Sequence, residues 1–261
     1  MHIQDEWRVL TVGDGDLSFS LALAKRFPKI NLCASVLDSE EALREKYSLN
    51  AVDDLKTLGH EVIFELDITS TDNITTQLSK NFDLAIFQFP LVPNAGARHP
   101  GQSWHQGTDS NLENRKLLRA FLFNTAKFLL RTDGANLCYI TSKDVKPYCD
   151  WNIENLGNGG ILNYIGECEF EPNRFPGYRI RNVDRDKQVK STSATTYVWS
   201  SNAQQHAHMQ LTMPKSDSSD YCALCKVGPI KSPHDWLAHT NSRLHRRRTE
   251  FQNNWEAFLQ Q

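Results

Sequence analysis

An apolar run at residues 7–12 (WRVLTV) stops at Gly13-Asp14-Gly15-Asp16, and a helical pattern follows over residues 17–27. A strand that runs into a glycine turn and then a helix opens a nucleotide-binding α/β unit. The alternation continues along the chain. Residues 30–37 form an apolar run ending at Asp38, and Ser39 is placed to cap a helix over residues 40–47. Further runs at 62–66, 83–89 and 135–140 end at Asp67, at Pro90 and near Thr141-Ser142-Lys143. Five such strands with helices between them predict a Rossmann-like α/β fold with a mainly parallel sheet covered on both faces.

Between the fourth and fifth strands lies LVPNAGARHPGQSWHQGTDS, residues 91–110, followed by a predicted helix over 111–131. A loop of that length inside an α/β unit is usually functional or disordered. Beyond Lys143 the pattern predicts a helix around 151–155, a strand near 164–170, the irregular PNRFPGYRIRN and a last strand at 195–199. Residues 200–220 are polar and rich in Ser, Gln and His, as a linker would be. The expected organisation is a catalytic-type domain at 1–200, a linker at 201–219 and a small module at 220–261.

In an open α/β sheet the ligand sits beyond the carboxyl ends of the strands, beside the point where strand order reverses. Gly13, Asp14, Gly15, Asp16, Ser18, Asp38, Asp67, Ile68 and Gln88 fall there and are the expected cofactor residues. Glycines let the backbone turn and approach a ligand, and Asp38 can accept hydrogen bonds from ribose hydroxyls. No G-x-x-x-x-G-K-[ST] run is present, which argues against a phosphate loop. A dinucleotide is disfavoured because Ser18 stands where G-x-G-x-x-G needs its third glycine. Asp14 and Asp16 would also repel a pyrophosphate, whereas carboxylates suit the ammonium and sulfonium of S-adenosylmethionine.

Several segments carry a resemblance: VGDGDLSFSLALA (12–24), SVLDSEEALREKY (35–47), FDLAIFQFP (82–90), NRKLLRAFLFNTAKFL (114–129) and PGYRIR (176–181). Together they resemble the large-subunit ribosomal-RNA uridine-N3 methyltransferase family, over roughly residues 8–199. The resemblance implies a class I methyltransferase fold and transfer of a methyl group to N3 of uridine in rRNA or tRNA. This chain departs from the family in reading Gln88-Phe89-Pro90-Leu91 where Asn-Phe-Pro-His is typical, and in having Ile180-Arg181 after PGYR. Gln88 can bond a base edge and Phe89 can stack on it. Lys143, Asp144 and Arg179 can orient the base or take part in removing the N3 proton, which must leave before or during attack.

Cys222-x2-Cys225 is followed by thirteen residues, His239, five residues and His245, a C2H2 zinc spacing. The expectation is that both imidazoles stand on one helix, about one and a half turns apart. A module of this size has too little core to fold without its metal. The stretch LAHTNSRLHRRR resembles the matrin-type zinc finger, which implies RNA binding, with Arg246, Arg247 and Arg248 meeting phosphates. Although the formal net charge of the chain is -2, residues 221–250 hold Lys226, Lys231, Arg243 and those three arginines against Asp235 and Glu250. Such asymmetry points to nucleic acid.

Scattered single cysteines, no apolar run of membrane-spanning length and no leader pattern lead to the expectation of an intracellular, cytoplasmic protein with no membrane partner. Two further readings fit the same residues. One is a non-catalytic RNA-binding protein that has lost activity through the changes at Gln88 and Leu91; the other is a methyltransferase for a protein or small molecule, with the finger as a docking site.

Overall fold

The computed structural model describes residues 1–92, 109–156, 162–182, 185–188, 193–213 and 218–261. The glycine-bearing loop after the fourth strand falls almost wholly on 93–108, outside the described residues.

The chain begins β1 (Arg8–Val12), α1 (Ser18–Arg26), β2 (Asn31–Ser35), α2 (Glu40–Lys46), α3 (Val52–Thr57), β3 (Glu61–Ile63), α4 (Thr71–Gln77) and β4 (Leu84–Gln88). It continues with α5 (Ser110–Asn124), β5 (Leu137–Lys143), β6 (Asn163–Glu169), β7 (Arg181–Asn182), β8 (Arg185–Gln188) and β9 (Ala194–Ser200). The helices α6 (Pro233–Thr240) and α7 (Arg243–Leu259) close it. The main sheet has seven strands in the order β3-β2-β1-β4-β5-β9-β6, and β7 pairs with β8 in a second, two-stranded sheet. The first five are parallel, while β9 runs antiparallel to β5 and to β6. Strand order therefore reverses between β1 and β4. Every residue of β4 and β5 is buried, as central parallel strands covered on both faces require.

The loop after β1 shows why its sequence must be GDGD. Gly13 has φ +64°, and a Cβ there would stand 2.9 Å from Phe87 Cε2, so only glycine fits. The two aspartates cap α1: Ser18 N–H donates to Asp16 Oδ1 at 3.0 Å and Ser20 N–H to Asp14 Oδ2 at 2.6 Å. Ser39 caps α2 by accepting from Ala42 N.

Four expectations need correction. The helix expected over 111–131 winds as α only to Asn124 and ends in a π turn over Thr125–Leu129, with Leu130 N–H bonded to Thr125 O. The helix expected near 151–155 is instead two 3-10 turns, Tyr148–Asp150 and Ile153–Asn155. The described part of the expected linker is pinned to the sheet. His206 is buried with Nε2 2.7 Å from Ala135 O, and Glu167 and Thr212 exchange two backbone hydrogen bonds of 2.8 Å.

The fourth correction is the largest. The C-terminal module is packed against the sheet domain, not hung from it. Helix α7 presents Phe251, Trp255 and Phe258 at helical spacing, and Trp255, 1 % exposed, belongs to the same core as Leu118, Phe121 and Trp151. The guanidinium of Arg115, on α5, lies 4.5 Å over the Trp255 ring.

Candidate active site

The cleft opens over the carboxyl ends of β1, β2, β3 and β4, at the strand-order reversal. It holds about 1080 Å3 of empty space, part of it open to solvent. Of the expected cofactor residues, Gly13, Asp14, Gly15, Asp16, Asp38, Asp67, Ile68 and Gln88 line it. Ser18 does not: its hydroxyl accepts from Arg179 N at 3.0 Å and so fastens the PGYRIR segment onto the start of α1.

Asp14 and Asp16 are both engaged within the protein. Asp14 Oδ2 accepts from the Ser20 backbone and hydroxyl, each at 2.6 Å, and burial pushes its carboxyl up to about 7. Asp16 is 1 % exposed, and its Oδ2 accepts from Arg181 Nε at 2.6 Å and Arg179 Nε at 3.2 Å. Two guanidinium groups thus already sit on Asp16, so its charge is shared with the protein's own arginines as well as with the cleft. Asp38 lies 3.3 Å from Lys46 Nζ at the end of β2. Asp67 accepts from Thr69 N and Oγ1, which turns the backbone after β3 so that Ile68 lines the cleft.

At the end of β4 the side chain of Gln88 is 5 % exposed, and neither its amide nitrogen nor its amide oxygen has a well-formed hydrogen bond. The Tyr178 hydroxyl approaches this amide without satisfying it. Phe89 follows at φ +51°, an uncommon backbone conformation for a side chain of that size. Its ring meets Phe170 edge-on at 5.6 Å and lies nearly parallel to Tyr178 at 6.5 Å. Lys143 is buried at the end of β5, its Nζ 6.0 Å from the Phe89 ring and 5.6 Å from the Tyr148 ring. Burial pushes its ammonium below the ordinary lysine range, and no salt bridge involves it among the described residues.

Lys143 and Asp144 do not line the cleft itself, and Asp144 is exposed, accepting from Thr195 Oγ1 at 2.9 Å. Arg179 lines it but is committed to Asp16 and to Leu49 O. Lys46, Tyr47, Tyr178, Arg181 and Leu117 also line the cleft and were not anticipated. All five sit inside the motifs that carry the family resemblance, so a signal existed.

At the C-terminus, one ligand atom from each of Cys222, Cys225, His239 and His245 lies within 4.8 Å of the others. His245 Nδ1 is 3.7 Å from Cys222 Sγ, 3.5 Å from Cys225 Sγ and 3.2 Å from His239 Nε2. A tetrahedral ion with metal–sulfur bonds of about 2.3 Å and metal–nitrogen bonds of about 2.0–2.1 Å needs edges of roughly 3.6 Å and 3.3 Å, so the donor set fits one. The two histidines do not share a helix: His239 is on α6, His245 on α7, and Ser242 between them caps α7 through His245 N.

The arginines after His245 divide. Arg248, 8 % exposed, donates from Nε to Asp150 Oδ1 at 2.8 Å, and Arg247 pairs with Asp150 Oδ2. Arg246 is exposed, and the Arg247 side chain is 38 % exposed. The expectation that all three meet phosphates is corrected, because α7 turns two of them inward against a buried carboxylate.

A seven-stranded, mostly parallel sheet with a glycine turn after β1 and an acid at the end of β2 defines a Rossmann-like fold of the S-adenosylmethionine-dependent methyltransferase class. Residues 10–182 match the rRNA (uridine-N3-)-methyltransferase BTM5-like family, and the chain belongs to it; the protein is an RNA methyltransferase. An uncharacterized protein of Arabidopsis thaliana is 34 % identical over 190 residues, covering 68 % of this chain and 87 % of its own. The heavy metal-associated isoprenylated plant protein 41 of the same plant is 32 % identical over 186 residues, 70 % of this chain, which spans only 34 % of that relative. Among solved structures, a predicted O-methyltransferase of Agrobacterium tumefaciens aligns with 77 % of this chain and 76 % of its own at 15 % identity and a TM-score of 0.44.

Proposed function

We propose that the protein methylates N3 of a uridine in rRNA or tRNA, with the base set against Gln88 and Phe89. The observation that carries this reading is the unsatisfied Gln88 carboxamide on the cleft wall beside an aromatic ring. Leaving a buried amide unpaired costs about 1–3 kcal/mol, so a ligand that supplies its partners recovers that energy. A base edge offers both a donor and an acceptor, and the Phe89 ring offers a stacking face.

The residues present also fit the methyl donor. Gly13 and Gly15 permit close approach, Asp38 accepts from ribose hydroxyls, and Asp67 and Ile68 border the adenine. S-adenosylmethionine supplies an already activated methyl group on its sulfonium. The protein's own work is to align the acceptor and to manage one proton. Uridine N3 carries that proton at neutral pH. Lys143, with its Nζ 6.0 Å from the Phe89 ring, is the group assigned to take that proton, through an intervening water, as the N3–methyl bond forms. Arg179, paired with Asp16, holds the wall of the cleft, and Asp144 lies outside it.

The Cys222, Cys225, His239, His245 set is read as a zinc site, and Arg246 as the one arginine of its triplet left for RNA. Thiolate ligands of this kind persist in a reducing intracellular compartment, where the reading places the protein. The test is mass spectrometry of nucleosides from RNA incubated with protein and methyl donor. 3-Methyluridine is expected; label in another nucleoside, or in a product resistant to ribonuclease, overturns the assignment.

A further inference from the structure

The finger meets the sheet domain at the same end of the sheet as the cleft. Arg248 reaches three ways: to Asp150, to Cys149 O at 3.3 Å, and to Leu224 O inside the finger, also at 3.3 Å. Lys226 of the finger pairs with Glu154 at 2.8 Å. The segment they grip, residues 148–155, follows β5 and contains Tyr148, whose ring Lys143 faces.

A second route runs through α5. The Asp150 carbonyl accepts from Asn111 Nδ2 at 2.8 Å, and Asn114, one turn on, accepts from Val92 N at 2.9 Å. Val92 and Leu117 line the cleft. The residues that border the base side of the cleft are thus held, within two contacts, by the C-terminal module.

We propose that the finger and α7 are a working part of the catalytic face, which hold residues 148–155 and the first turns of α5 in place against the target base, and not a tethered hook for substrate. The inference rests on the methyl-transfer reading above and adds that the finger acts on turnover. Arg248 is then a positioning residue: it touches neither cofactor nor base. A small misplacement at distance is enough to slow an alignment-limited transfer by up to about a hundredfold.

The experiment compares the full chain with Arg248→Met and Arg248→Lys, using a short uridine-containing RNA and S-adenosylmethionine. For Arg248→Met the expected result is a fall in kcat at saturating RNA, with KM for RNA and cofactor affinity by calorimetry within about twofold of wild type; Arg248→Lys, which keeps the charge, recovers part of the loss. Hydrogen–deuterium exchange supplies a readout independent of turnover. Residues 144–156 and 109–118 should exchange faster in Arg248→Met while residues 8–40 stay protected. A raised KM with unchanged kcat, or unchanged exchange in those two segments, overturns the proposal. So does joint loss of cofactor binding and turnover in both variants, since the finger would then serve only global stability. Failure of the methyl-transfer reading shows separately, as a wild type that does not label RNA, and exchange still decides the inference.

Discussion

Two buried aspartates in this molecule are each gripped by two arginines from far along the chain. Asp16, in the glycine turn, holds Arg179 and Arg181; Asp150, after β5, holds Arg247 and Arg248. The device is the same, but its surroundings differ. At Asp16 both arginines line the cleft over β1, β2, β3 and β4, so the pairing shapes that cleft. At Asp150 the arginines stand away from that cleft and fasten the C-terminal helix to the segment after β5. A buried carboxylate with paired guanidinium groups is weak evidence for stability as such, because desolvation offsets much of the attraction; what it secures is the position of the segments it joins.

The largest effect is expected at Asp16. Asp16→Asn removes a buried carboxylate from two partly buried guanidinium groups, which costs about 3 kcal/mol. Cofactor affinity should fall with it, because Arg179 and Arg181 border the cleft. Denaturant titration and calorimetry read the two losses, and wild-type cofactor affinity in a destabilised variant would separate this aspartate from the site.

Asp150→Asn should cost less, about 2 kcal/mol, since the Arg247 side chain is 38 % exposed and water can take over part of its solvation. Cofactor affinity should stay near wild type while turnover falls. If the two variants instead lose cofactor affinity equally, the contrast between the two clamps collapses.

A pH dependence is expected at Asp14, beside the first clamp. Its carboxyl is raised from 3.8 to about 7 by burial, so the folded state holds the proton more tightly than the unfolded chain does. The stabilisation is complete below the unfolded value and is lost as pH rises through the folded one. Asp14→Asn should therefore flatten the decline in stability between about pH 4 and 7 in denaturation series. An unchanged slope would assign that decline to other groups.

Much of the molecule is written locally. The apolar runs that end at Val12, Asp38, Asp67 and Pro90 predict strands because a central parallel strand must be apolar on both faces, and the glycine at 13 is dictated by the Phe87 ring beneath it. The Cys222-to-His245 spacing likewise marks a four-ligand cluster, because its donors are close in sequence. Local pattern failed where the deciding partner is remote. A run of Arg246, Arg247 and Arg248 looks like a phosphate grip until Asp150, about a hundred residues earlier, takes two of the three. Asp16 looks like an open charge until Arg179 and Arg181 arrive from the far end of the sheet. The stripe of Phe251, Trp255 and Phe258 is visible in the sequence, but that it packs into the core beside α5, and so joins the C-terminal segment to the sheet, follows only from the packing of surfaces that no single segment contains.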